Sequence, residues 1–511
     1  MIRTKFDFKK IFLFLFILLI TFTLSACGVD PQPNEETELE DITLTIYTLN
    51  DFHGTIEENG NMAGIYKIGD FLIKEKQNSP ETTLIISAGD MFQGTAVSSM
   101  TRGRAVVDAM NIIGFDAMTL GNHEFDWGID VVLKYQDGKE ENGEANFPFL
   151  AANIIDKKSN ELITKPYTIV KKSGYKIGII GIIGSDQTKD ILASYVENYE
   201  FTDEITAIKK YTKVLRNEEK CDIVIVSAHC DTQDYGNKLS SLSDDYKIDA
   251  IINGHTHQAY YGELNFGDRE APLPYVQSGC YGQYVGKIVL QLNGKERKVI
   301  NASANNLKAK STCKTENIDI KNAISKYSKE MEVSKEVLGV SGETVYQNEG
   351  GKWAANVIAT YEDAVVGIIN SGGIRRNGFP LEIDKDITYG DIFEIMPFEN
   401  KIKVVSIKGY ELEKLANYSG LFISDSLSKR NGTVYINDEP IDANEYYRVA
   451  TIDYLYEKTN YPFKTGLNPV DTDILFRDAL AEAVKKKVSE KKEVPGFRHF
   501  LNFSSLHFQK K

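Results

Sequence analysis

The chain has 511 residues, more than one hydrophobic core ordinarily organises, so two domains are expected. Its composition, 42% hydrophobic, 26% charged and 11% aromatic, is that of a globular protein. A formal net charge of −14 with no basic stripe argues against a nucleic-acid polymer as partner, and leaves room for a small anion held in a local site.

At the N-terminus, Lys5, Lys9 and Lys10 precede the apolar run IFLFLFILLITFTLSA, which ends in the small residues Ser25 and Ala26. The run is shorter than the roughly 20 residues of a membrane-spanning helix, and residues 1–26 read as a secretory signal peptide. Leu24-Ser25-Ala26-Cys27 resembles a bacterial lipobox. That resemblance implies cleavage before Cys27, lipid attachment to it, and anchorage on the outer face of the plasma membrane. Residues 27–40 are polar and acidic, a lipidated tether reaching about 20 Å as a coil.

After the tether one device recurs: a short apolar strand that ends in polar, Gly-flanked residues. ITLTIYTLNDFHG delivers Asp51 and His53, TTLIISAGDMFQG delivers Asp90, and FDAMTLGNHEFD delivers Asn122, His123, Glu124 and Asp126. YKIGIIGIIG ends with nothing chemically sharp, CDIVIVSAHCD ends in His229, and IDAIINGHTH ends in His255 and His257. Helical stretches such as 62–76 and 203–219 lie between, so the class is α/β, with side chains from strand ends meeting in one crevice. Residues 284–300 read as further strand, and the polar stretch 301–320 as a boundary. This divides the chain into a first domain over 41–300, a linker with a connecting helix over 301–338, and a second α/β domain over 339–511. Cys221, Cys230, Cys280 and Cys313 have no spacing that favours a disulfide pairing, so buried free thiols are expected.

Five of the seven histidines sit at the strand ends; His499 and His507 lie in the C-terminal tail. Packing alone gives no reason for such clustering. Imidazole nitrogen and carboxylate oxygen suit Zn²⁺, Mn²⁺ or Fe²⁺. Seven candidate ligands (Asp51, His53, Asp90, Asn122, His229, His255, His257) are too many for one ion and suit two, with Asp90 the candidate bridge. Two such ions would clamp a phosphate and lower the pKa of a bridging water.

In order, D-x-H, G-D, G-N-H-E, a lone strand-end His and G-H-x-H resemble the signature of the calcineurin-like metallophosphoesterases over residues 44–260. The resemblance implies a four-layer αββα sandwich. It places Asp51, His53, Asp90 and His257 on one divalent ion, and Asp90, Asn122, His229 and His255 on the other. His123, free of metal and oriented by Asp126, would stabilise the phosphoryl charge and help the leaving oxygen depart. Glu124 is expected to face backbone or solvent, and Cys230 the opposite face of its strand from His229.

In the second domain, VVGIINSGGIRRNGFP pairs a Gly-Gly turn with arginines whose forks match phosphate oxygens. Asn370 to Arg375 resembles the phosphate-binding turn of the 5′-nucleotidase family, and YGDIFEIMPFENKI its next block, where Phe398 would stack on a nucleobase. Two features depart from that family. The arginine expected before the helix around Asn356 is missing, with Arg376 or Lys352 as candidate substitutes. The late Gly-rich stacking loop is replaced by DYLYEKTNYPF, where Tyr461 or Phe463 would supply the second ring. The resemblance implies a surface 5′-nucleotidase acting on a small phosphorylated substrate. A 2′,3′-cyclic nucleotide phosphodiesterase with 3′-nucleotidase activity and a UDP-sugar hydrolase share the metal motifs, and a non-catalytic surface-binding lipoprotein is the alternative of another class.

Overall fold

The computed structural model describes residues 39–231, 239, 241–265, 270–490 and 500–501. The signal peptide, Cys27, all but the end of the tether, His499 and His507 lie outside the described residues.

Twelve strands form the two large sheets of the first half: β1 (Ile42–Leu49), β2 (Thr83–Ser87), β3 (Ala117–Thr119), β4 (Phe149–Leu150), β5 (Tyr167–Lys172), β6 (Tyr175–Ile183), β7 (Ile223–His229), β8 (Ala250–Asn253), β9 (Ala259–Leu264), β10 (Leu273–Ser278), β11 (Tyr284–Asn293) and β12 (Lys298–Lys308), beside a small sheet of Ile154–Asp156, Glu161–Leu162 and Tyr199–Phe201. The large sheets are six-stranded, ordered β12-β11-β1-β2-β3-β4 and β9-β10-β8-β7-β6-β5. Period-two alternation along β1 sends Leu44 and Ile46 into the core between the sheets and Tyr47 and Leu49 to the outer face. Helices α1 (Gly64–Asn78) and α2 (Arg104–Ile113) cover that outer face, and α3 (Glu204–Asn217) covers the second sheet. The result is the four-layer αββα sandwich.

Strands β1 to β4 run parallel, as do β6, β7, β8 and β10. Their carboxyl ends therefore gather along one edge, where loops from both sheets face a common crevice.

Residues 284–308 form an antiparallel hairpin, β11 and β12, rather than one strand followed by a boundary. The stretch 301–308 is polar because it is an edge strand whose buried side chains are the small Ala302 and Ala304, with Leu307 partly buried against the outer-face cluster. The chain then enters helix Ile318–Ser325, whose Ile320 and Ile324 are buried in the first core, so part of the expected linker is built into the sandwich.

The second half has a separate core. Its elements are helix α4 (Gln347–Ile358), strand β13 (Val366–Asn370), helix α5 (Tyr389–Ile395), strands β14 (Lys401–Lys408), β15 (Leu421–Ile423) and β16 (Tyr446–Ile452), helix α6 (Asp453–Glu457), strand β17 (Leu467–Leu475) and helix α7 (Phe476–Glu490). The strands pair as β15-β13-β16-β14-β17, with α4 and α7 packed against them. Cys221, Cys230, Cys280 and Cys313 are free and buried, and Cys230 lies among the side chains under α3, away from the crevice. Among the described residues no helix is long and apolar enough to cross a membrane.

Candidate active site

The crevice is furnished by backbone that reverses sharply after each strand. Asp51, His53, Asp90, His255 and His257 all take positive φ, from +47° to +80°. Left-handed backbone at a non-glycine residue costs about 1–2 kcal/mol each, and its concentration here marks a place where side-chain direction outweighs local stability. At Gly121 the constraint is space: a Cβ would fall 2.2 Å from Asp90 Oδ1.

The side chains converge. Ligand atoms of Asp51, His53 and His257 lie within 4.8 Å of one another, as do those of Asp51, Asp90 and His229. His53 Nε2 faces His257 Nε2 at 3.0 Å, and His257 Nε2 is 3.4 Å from Asp51 Oδ1. His229 Nε2 is 3.1 Å from Asp90 Oδ2 and from Asn122 Oδ1, and His255 Nδ1 is 3.0 Å from the same Asn122 oxygen. In this arrangement Asp51 is common to both clusters, while Asp90 sits with His229.

The outer nitrogens settle which atoms face inward. His53 Nδ1 donates to Gln93 O at 2.8 Å and His229 Nδ1 to Ala88 O at 2.6 Å, so each Nε2 points into the crevice. Burial, reinforced by His257, holds His53 well below the usual histidine range. Burial also pushes His255 down to about 4 and His257 down to about 3, the first helped by His229 and the second by Arg375. These three imidazoles therefore present lone pairs at neutral pH. His229 is pushed the other way, to about 9: burial opposes its charge, but Asp90 and Asp51 outweigh it. Buried carboxylates and neutral imidazoles aimed at one another form a donor set that calls for a divalent cation.

His123 stands beside this cluster without joining it. Its Nδ1 lies 2.8 Å from Asp126 Oδ2, and its Nε2 accepts from Arg375 Nη2 at 2.7 Å. Burial lowers the His123 pKa, but Asp126 and Asp90 reverse this and leave it raised. The guanidinium donates only to a neutral imidazole, so the Arg375 contact belongs to the deprotonated form. Arg375 also lies over the Phe398 ring at 4.9 Å, and the Phe398 ring centroid is 5.7 Å from that of His123. All three line a cavity of about 300 Å³ between the two halves, together with Asn370.

Two residues brace this site from behind: Asn50, which the motifs do not single out, and Glu124, which faces backbone. Asn50 donates to Asp51 Oδ2 at 2.6 Å and to Gly279 O, bracing that ligand from behind. Glu124 is fully buried and faces backbone only, accepting from the N–H groups of Asp90, Met91 and Gly121 at 2.7–3.0 Å. Burial, then the Asp90 charge, pushes its carboxyl up to about 7 against the N–H donors of Gly121 and Asp90. Glu124→Ala would leave three buried N–H groups without an acceptor and is expected to lower unfolding free energy by about 3 kcal/mol or more, read from urea denaturation. An unchanged midpoint would show that water replaces the carboxylate.

The expected substrate side chains divide. Asn370, Arg375 and Phe398 line the cavity, whereas Tyr461 is stacked on Phe463 at 6.0 Å and beside Tyr418, and neither Tyr461 nor Phe463 is among the lining residues. The other rings in the wall are Tyr195 and Tyr454. Lys352 is paired with Asp425 at 2.6 Å, and neither it nor Arg376 lines the cavity; the second lining cation is Lys401. Tyr454 and Lys401 reach the wall because α6 and the start of β14 face the first half, a placement that local sequence does not encode.

Comparison with known proteins accords with this geometry. The calcineurin-like phosphoesterase family model matches residues 44–259, and the 5′-nucleotidase C-terminal domain model matches residues 333–465. The chain thus matches a calcineurin-like phosphoesterase domain followed by a 5′-nucleotidase C-terminal domain, the arrangement its motifs resemble. Endonuclease YhcR of Bacillus subtilis is 30% identical over 412 residues, covering 74% of this chain and 33% of its own length. The chain thus spans about a third of that relative. Protein UshA of Yersinia enterocolitica is 27% identical over 480 residues, covering 80% of this chain and 84% of the relative. Among solved structures, a 5′-nucleotidase precursor from Thermus thermophilus superposes with a TM-score of 0.71 at 21% identity, over 87% of this chain and 96% of its own, which shows the shared fold. Calcineurin-like phosphoesterases use divalent metals, and the domain that matches them here carries candidate ligands.

Proposed function

We propose that the chain is a surface 5′-nucleotidase that hydrolyses nucleoside 5′-monophosphates to nucleoside and phosphate. The observation that carries this reading is Arg375 of the second half reaching His123 at 2.7 Å with Phe398 behind it, directly beside the ligand cluster. A phosphate that replaced the His123 contact would meet a guanidinium fork, and a base attached to it would meet an aromatic face. The cavity of about 300 Å³ is large enough for a mononucleotide. Similarity to proteins named 5′-nucleotidase supports the same reading.

In this scheme Asp51, His53, Asp90 and His257 would hold one divalent ion, and Asp90, Asn122, His229 and His255 a second, zinc, manganese or similar. When bound, such ions supply positive charge against the phosphoryl oxygens and acidify water. Arg375 binds and orients the phosphoryl group, and the Asn370 amide lies beside it. His123, protonated and held by Asp126, gives its Nε2 proton to the departing nucleoside oxygen as the P–O ester bond breaks and water supplies the new oxygen. The division into a catalytic half, which takes in β12 and helix Ile318–Ser325, and a substrate-binding half that follows belongs to the same reading. So do export and lipid anchorage at Cys27, which the signal-like N-terminus and the lipobox resemblance support.

Phosphate release by residues 28–511 with added Mn²⁺ tests the reading, using AMP, 3′-AMP, 2′,3′-cyclic AMP, UDP-glucose and an alkyl phosphate, each with a chelator control. Chelator-sensitive preference for AMP is expected; preference for cyclic AMP or UDP-glucose would replace the assignment. Phe398→Ala is expected to raise KM for AMP about tenfold, within the roughly 1–3 kcal/mol of a base stack, and to leave the alkyl phosphate unaffected. An equal rise for both would remove the stacking role.

A further inference from the structure

The buried histidines of the crevice do not all have the same backing. The outer nitrogens of His53 and His229 rest on backbone carbonyls of the first sheet's own loops, Gln93 O and Ala88 O. His255 is turned the other way round. Its Nδ1 faces inward, 3.0 Å from Asn122 Oδ1, and its outer Nε2 lies 3.6 Å from Asp190 Oδ2. At that separation the contact is electrostatic rather than a hydrogen bond. A carboxylate behind a ligating imidazole fixes its tautomer, orients the ring and raises its basicity.

Asp190 is itself held in an unusual way. It ends the short turn Ser185–Asp190 that follows β6, and the carbonyls on either side of it are gripped by the second half of the chain. Tyr454 Oη donates to Lys189 O at 3.0 Å. The Lys458 ammonium donates to Lys189 O and, at 3.3 Å, to Ile191 O. Ser194 N donates to Glu457 Oε2 at 3.1 Å. All these partners belong to α6 or the residue that follows it, within the stretch DYLYEKTNYPF that stands where the Gly-rich loop was expected. On the first-half side, Gln187 Nε2 donates to His229 O, so the turn is also tied to the strand that carries another ligand.

We propose that Asp190 is a positioning residue for the metal ligand His255, and that docking of α6 on the carbonyls of Lys189 and Ile191 sets where Asp190 stands. The second half of the chain then acts on the metal centre as well as on the substrate. Because coupling of this kind is reciprocal, metal binding favours the docked arrangement by the same factor that docking favours metal binding. The inference rests on the metal-site reading above.

The test measures Mn²⁺ affinity of residues 28–511 without substrate, by competition with a chelator, alongside thermal unfolding in excess chelator. Asp190→Ala is expected to weaken Mn²⁺ binding about 10–100-fold while leaving the metal-free unfolding temperature in place, and Asp190→Asn, which keeps an oxygen near Nε2, to weaken it less. Lys458→Met, which removes the grip on the Lys189 and Ile191 carbonyls and alters no candidate ligand, is expected to weaken binding several-fold in the same direction. Wild-type affinity in Asp190→Ala, or a loss matched by a fall in metal-free stability, overturns the positioning role. Weakening in Asp190→Ala with wild-type affinity in Lys458→Met overturns the coupling. A parent chain that binds no Mn²⁺ would instead overturn the metal-site reading itself.

Discussion

Asp90→Ala is expected to reduce phosphate release by about three orders of magnitude or more, the several kcal/mol that metal-ion catalysis supplies at roughly 1.4 kcal/mol per factor of ten. The residue acts on two sides at once. Its Oδ2 faces His229 at 3.1 Å, and its Oδ1 accepts the His123 N–H at 2.9 Å, so one carboxylate ties a candidate ligand to the turn that carries the candidate acid. Burial works against its charge, yet His229 and His123 hold its carboxyl well below the usual range. Metal content after dialysis is the companion measurement. Loss of activity together with bound metal supports the bridge; a variant that keeps full metal and full turnover would break the two-ion scheme.

His123→Ala is expected to lower kcat by about 10²–10⁴-fold and to spare metal binding, because the ring points at Asp126 and Arg375 rather than into the ligand cluster. The size of the loss should depend on the leaving group. A nucleoside alkoxide needs a proton as the ester bond breaks, whereas a nitrophenolate leaves readily without one. The variant should therefore be crippled on AMP and far less affected on 4-nitrophenyl phosphate. A loss that is uniform across leaving groups would mean that His123 only binds the phosphoryl group. Asp126→Asn should fall between wild type and His123→Ala, since the ring keeps its place and loses its charged support.

Much of this site can be read from the chain itself, for a physical reason. Each candidate ligand follows an apolar run, and His53, Asp90, Asn122 and His255 adjoin a glycine, so strand, reversal and functional side chain lie close together in sequence, as in Gly89-Asp90 and Gly121-Asn122. The parallel sheets then bring those ends together without further instruction. What depends on the second half is much less legible. Tyr461 occupies the position where a stacking ring was expected, yet it packs on Phe463, and the rings of Tyr195 and Tyr454 line the wall. Lys352 looks available as a phosphate ligand until Asp425, 73 positions later, is found beside it. Glu124 resembles an ordinary acidic residue of a motif, and only the backbone geometry reveals three N–H groups aimed at it. In the polar stretch 301–308, an edge strand with small inward residues has the composition of a linker. In each case the deciding neighbour lies far away along the chain.

The ligands come from β1 at one end of the sandwich's sequence and from the loop after β8 near the other, with both sheets between them. No contiguous fragment short of nearly the whole sandwich holds Asp51, His53 and His257 together. The centre thus cannot come into being before long-range strand pairing brings both ends of this stretch together. A divalent ion has no site to capture on a half-made chain, and its binding energy arrives only as a final lock on a fold that must already stand by its cores alone.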